Sequence, residues 1–97
     1  HTTKGSSILD ELFSIIQDRK QSLPEGSYTT SLFKAGVDRI GQKVIEEAGE
    51  SVIAGVKLDK DGLAREAADL LYHLLVMLSA TGGQPEDVYA HLRERMH

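Results

Sequence analysis

Apolar residues recur at three- and four-residue intervals in four stretches of the chain, and turn-forming residues separate the stretches, a pattern that predicts an all-α fold. Ile8, Leu9, Leu12, Phe13, Ile15 and Ile16 predict a first helix from near Ser7 to about Lys20, and Ser7 and Asp10 have the spacing of a capping box. The segment QSLPEGSYTTS follows, punctuated by Pro24 and Gly26, and its Ser and Thr cluster from Ser27 to Ser31 offers caps for the next helix. That second stretch runs from about Leu32 to Lys57, with Val37, Ile40, Val44, Ala48 and Val52 as its apolar stripe. Gly36, Gly41, Gly49 and Gly55 interrupt it, each at a cost of about 1 kcal/mol relative to Ala. A break or a close helix contact is therefore expected near Gly36. The turn LDKDG leads to a third helix from Gly62 to Ala80, and TGGQ separates this from a fourth that carries Pro85 in its first turn. Glu86 and Asp87 at its start, and Arg93 and Arg95 near its end, complement the helix dipole.

Size and composition sharpen this picture. A chain of 97 residues suits one domain over 1–97, and a single copy of that size buries only about 60–65% of the surface its unfolded chain exposes. The third helix, containing AADLLYHLLVML, is apolar around almost its whole circumference, and the first has a broad apolar face. Four short helices cannot cover both, so a homodimer or larger symmetric oligomer is expected. Residues 1–6 begin with His1 rather than Met and are expected to be a flexible or extraneous end. Apolar residues at 40% and charged residues at 27% describe a folded chain, and the lack of cysteine excludes disulfides and thiolate metal sites, which suits the cytoplasm. No apolar run approaches the roughly 20 residues of a membrane span, and the start has no signal-peptide pattern, so no membrane partner is expected. A net charge of -4 argues against broad nucleic-acid binding. An anionic substrate would need a metal or local basic groups.

Carboxylates supply the candidate chemistry. Glu46, Glu47 and Glu50 lie on the second helix, and Glu66 and Asp69 on the third. Glu47 and Glu50 stand about 60° apart around the helix and one turn apart along it, as do Glu66 and Asp69, so each pair can share a cation. Antiparallel packing across the short turn at 58–61 would bring four carboxylates together on hard divalent cations, which prefer oxygen ligands. A helix Glu taken singly is ordinarily a solvent-facing residue, and for Glu46 that reading stands. Asp69 differs, because Val76 and Met77 flank its sector of an apolar helix and an unpaired buried carboxylate is costly.

KVIEEAGE followed by EAAD resembles the E-E-x-x-E and E-x-x-D signature of the all-α nucleoside-triphosphate pyrophosphatases. PEGSYTTSLF before the acids, DRIGQKVIEEAGE around them and EAADLLYHLLVML after them resemble the phosphoribosyl-ATP pyrophosphatase family over most of residues 8–96. The resemblance implies a four- to five-helix bundle completed by oligomerisation, with magnesium held by Glu47, Glu50, Glu66 and Asp69 and with Glu46 nearby to orient water. It implies hydrolysis of phosphoribosyl-ATP to phosphoribosyl-AMP and pyrophosphate in histidine biosynthesis.

The remaining candidates carry two readings each. Lys43 is a phosphate contact or a plain intrahelical ion pair; Lys34 and Arg39 are phosphate contacts or surface charges. Tyr28 and Thr29 shape a substrate pocket, or are a packed aromatic and a helix cap. His73 hydrogen-bonds a ligand carboxylate from behind, or is a satisfied core histidine. A pyrophosphohydrolase of ordinary or damaged nucleoside triphosphates would use the same acids. A di-iron bundle fits less well, since His73 is out of the Glu-x-x-His register with Glu66. A helical interaction module without chemistry is the third class, and it would bind no divalent metal.

Overall fold

In the computed structural model, which describes residues 7–97, the four expected stretches become five helices. They are α1 (Ser7–Ser22), α2 (Tyr28–Ala35), α3 (Val37–Val56), α4 (Lys60–Thr81) and α5 (Pro85–Glu94), with no strand among the described residues. The expectation for residues 1–6 lies outside the described residues, as does the Ser7 side chain of the expected capping box.

The extra helix comes from an earlier start and a hard stop. Ser27 caps α2 by accepting the Thr30 amide at 3.2 Å, so the chain turns helical at Tyr28 rather than Leu32. Gly36 then takes φ 99° and ψ 173°, and its amide bonds the Leu32 carbonyl at 3.0 Å. Only glycine occupies that backbone region readily, so the expected break falls at Gly36 and α3 begins one residue later. Gly41 is the close approach: a Cβ there would meet the Met77 methyl at 3.3 Å, so it sets α3 tightly against α4.

The α3–α4 hairpin turns through residues 57–59. Asp59 accepts the Gly62 amide at 2.9 Å and starts α4 two residues before the expected Gly62. At the far end Gly82, at φ 84°, closes a Schellman turn, with the Gly83 amide on the Leu78 carbonyl at 2.8 Å. Pro85 opens α5, and Gln84 and Asp87 form a reciprocal capping box.

Phe13 and Ile16 from α1, Leu32 from α2, Ile40 from α3, and Leu75 and Val76 from α4 form the core. Lys20 donates to the Ser79 carbonyl at 2.6 Å, and the Ser79 hydroxyl bonds Gln17, which fixes α1 against α4. Two expectations need correction. The buried face of α3 runs through Ile40, Glu47 and Ala54, whereas Val37 and Val52 of the expected stripe are exposed. Its buried side is rotated by roughly a fifth of a turn, because the face that meets α4 includes an acid. Asp69 is exposed in this single chain rather than the buried acid of the sequence argument, whereas the exposure of Leu71 and Leu74 on the same helix is what was expected of one copy. No helix among the described residues is long and apolar enough to cross a membrane.

Candidate active site

Three carboxylates converge on the hairpin. Glu47 of α3, 6% exposed, faces Glu66 and Asp69, which lie one turn apart on α4. One ligand oxygen from each lies within 4.8 Å of the other two. Glu66 is half-buried and Asp69 exposed, so the cluster grades from interior to solvent and a solute can reach it. The Asp69 carboxylate makes no hydrogen bond or ion pair with any described residue. Three oxygen donors of this kind suit a hard divalent cation, and the chain has no thiolate to offer a soft one.

Glu50 stands outside the three. It lies beyond Glu47 on α3 and lines a shallow cleft with Glu66, Arg65 and Lys57 at the edge of the cluster. Lys43 forms ion pairs on its own helix: its ammonium is 3.2 Å from Glu46 and 3.6 Å from Glu47. The hydrogen bond to Glu46, helped by the fields of Tyr28 and both carboxylates, holds its pKa above the ordinary lysine value against the opposing cost of burial. Glu46 is exposed, with Lys43 as its recorded partner. Arg39 donates to Gln42 at 2.9 Å on its own helix, and Lys34 lies on α2 beside a different groove.

Behind the acids sits an aromatic relay. His73 is 4% exposed, and its Nδ1 lies 2.7 Å from the Asp69 backbone carbonyl. A carbonyl only accepts, so Nδ1 carries the proton, and Nε2 lies in hydrogen-bond contact with the Tyr28 hydroxyl at 2.9 Å. His73 Nδ1 is also 3.9 Å from Glu47. The histidine thus hydrogen-bonds the main chain at Asp69 and sits behind the Glu47 carboxylate. Tyr72, which the sequence reading passed over, completes the set. Its ring stacks on Tyr28 at 6.2 Å and meets His73 edge-on at 4.9 Å, and its hydroxyl is 2.5 Å from Thr29 Oγ1. Burial raises the Tyr72 pKa, with the Thr29 contact opposing. Its only advance signal was position, one turn after Asp69 and beside His73 in the run LLYHLLVML.

An all-helical frame with this acidic hairpin defines a protein of the all-α nucleoside-triphosphate pyrophosphatase type. The chain belongs to the phosphoribosyl-ATP pyrophosphohydrolase family, whose model matches residues 9–96. It is 45% identical to the phosphoribosyl-ATP pyrophosphatase of Sulfurisphaera tokodaii, over 95% of this chain and 98% of that one. It is 52% identical to that of Streptococcus thermophilus, over 91% of this chain and 85% of the other. A histidine biosynthesis bifunctional protein HisIE from Bacillus subtilis is 49% identical over 91% of this chain, which spans 42% of that longer protein.

Proposed function

We propose that this protein hydrolyses phosphoribosyl-ATP to phosphoribosyl-AMP and pyrophosphate, the second step of histidine biosynthesis, in the cytoplasm. The observation that carries the reading is the convergence of Glu47, Glu66 and Asp69 in a chain of this family. Those three carboxylates would hold magnesium, and Glu50 at the edge of the cluster would add a fourth acid to the site. When bound, magnesium neutralises charge on the pyrophosphate leaving group and lowers the pKa of bound water.

The chain's own residues do the rest. A water oxygen bonds to phosphorus as the α–β phosphoanhydride bond breaks, and the displaced oxygen leaves on pyrophosphate. Lys43 pairs with both Glu46 and Glu47, which supports a role for the exposed Glu46 in orienting the water or taking its proton. Tyr28 and His73 anchor the turn of α4 that presents Asp69. Identifying the products tests the reading. Phosphoribosyl-AMP with equimolar pyrophosphate is expected, and orthophosphate release would contradict it.

The active unit is a homodimer or larger symmetric oligomer. Ile45, Val52 and Val56 are 74%, 65% and 79% exposed, and with Gly49 they form one stripe at intervals of four, three and four residues, a helix-pairing seam. Leu71, Leu74, Val88 and Leu92 line a second uncovered apolar groove between α4 and α5. Both are surfaces a second copy would cover. Sedimentation should find no stable monomer at micromolar concentration; a monomer there would overturn this assignment.

A further inference from the structure

We propose that the groove at the N-terminus of α2 binds a phosphomonoester, namely the substrate's second phosphate, carried on the ribose remote from the triphosphate. The groove would then set the preference for phosphoribosyl-ATP over ordinary nucleoside triphosphates, a role that rests on the activity proposed above.

Three features of the groove call for an anion. Ser27 satisfies the first turn only in part: its side chain takes the Thr30 amide and its carbonyl the Ser31 amide. The Tyr28 and Thr29 amides have no acceptor among the described residues, and they sit at the positive end of the helix. Thr30 lines the groove and is 4% exposed, yet its Oγ1 is buried without a hydrogen-bond partner. A buried hydroxyl without a partner costs stability, and a turn about χ1 would bring it to a ligand seated in the groove. Lys34, one turn further along the same wall, is exposed and has no carboxylate within ion-pair distance among the described residues. Glu25 opposes these groups as the groove's one acid. At about 550 Å³ the groove has room for a sugar phosphate.

Tyr28 connects the groove to the chemistry. It lines the groove, while its hydroxyl bonds His73 beside Glu47 and Asp69. One residue therefore borders both places. A substrate with a triphosphate at one end and a phosphomonoester at the other has a partner for each end. Ordinary nucleoside triphosphates have only the first.

Thr30→Val and Lys34→Gln test the assignment. Valine keeps the shape of threonine and removes only the unpartnered hydroxyl, so a merely structural Thr30 predicts equal or higher thermal stability and unchanged kinetics. As a phosphate contact, either change should lower the ratio of kcat/KM for phosphoribosyl-ATP to that for ATP by about tenfold, mostly through KM. Amide NMR of the wild-type chain gives a second reading: ribose 5-phosphate should shift the Tyr28 and Thr29 resonances, and ribose should not. An unchanged ratio in folded variants, or no shift with ribose 5-phosphate, overturns the groove assignment even if phosphoribosyl-ATP is the substrate. A wild type that does not prefer phosphoribosyl-ATP overturns the activity itself, and with it the groove's role in specificity.

Discussion

Changing Asp69 to Asn separates a metal ligand from a structural acid, because the two roles predict opposite signs for stability. The Asp69 carboxylate has no hydrogen bond or ion pair with the described residues, and its ligand oxygen lies within 4.8 Å of those of Glu47 and Glu66. Two unit charges 4.8 Å apart in water repel by about 0.9 kcal/mol. Asp69 is exposed, so salt and solvent screen both repulsions, and removing them leaves a gain of about 1 kcal/mol. In a domain of this size that raises the apo Tm by about 4–8 °C. Activity should move the other way. Losing one anionic ligand weakens both cation binding and charge stabilisation in the transition state, which costs about 100- to 1000-fold in kcat/KM. The assay is thermal unfolding of chelator-treated protein beside pyrophosphate release across a magnesium titration. A destabilised variant whose activity falls only as it unfolds, or a folded variant with near-normal turnover, would refute the ligand role.

Two further substitutions probe the frame. Gly36→Ala should destabilise the protein by about 1–3 kcal/mol, read as a lower urea midpoint; a Cβ there meets nothing within 4 Å, so the whole cost is backbone strain at φ 99°. An unchanged midpoint would mean that the α2–α3 corner relaxes freely. Tyr89 donates to Asp10 at 2.9 Å, and burial together with that bond pushes its pKa up from 10.0 to about 12. A raised pKa favours the protonated fold, so this stabilisation is present below pH 10 and disappears as pH rises towards about 12. Tyr89→Phe should abolish that alkaline loss, and a variant that follows the wild-type pH curve would show that the contact contributes nothing.

Long helices were legible because their periodicity repeats over several turns; α1, α4 and the body of α3 needed nothing else. The eight residues of α2 span barely two turns, too few to show a period, and five consecutive hydroxyl or aromatic residues offered no unique cap. Gly36 was readable as a break because a glycine run inside a helix demands an explanation. Of the site, the Glu66–Asp69 pair converges on Glu47 as its spacing suggests, whereas Glu50, paired with Glu47 by the same spacing, stands outside the cluster. How deeply each is buried could not be read in advance, because that depends on how α3 rolls against α4. The roll turns Glu47 inwards, leaves Asp69 in solvent and places Glu50 at the edge. Tyr72 and Thr30 were invisible for the same reason: their roles come from neighbours more than forty residues away, or from the lack of any partner.

We propose that magnesium held by the Glu47, Glu66 and Asp69 cluster drives pyrophosphate release from phosphoribosyl-ATP. It is tested most directly by kcat/KM for pyrophosphate release from phosphoribosyl-ATP, ATP and the deoxynucleoside triphosphates, with saturating magnesium and after chelation. Phosphoribosyl-ATP should be turned over with the highest efficiency, and chelation should abolish release from every substrate. Comparable or faster turnover of the deoxynucleotides, or undiminished release without a divalent cation, would contradict the account.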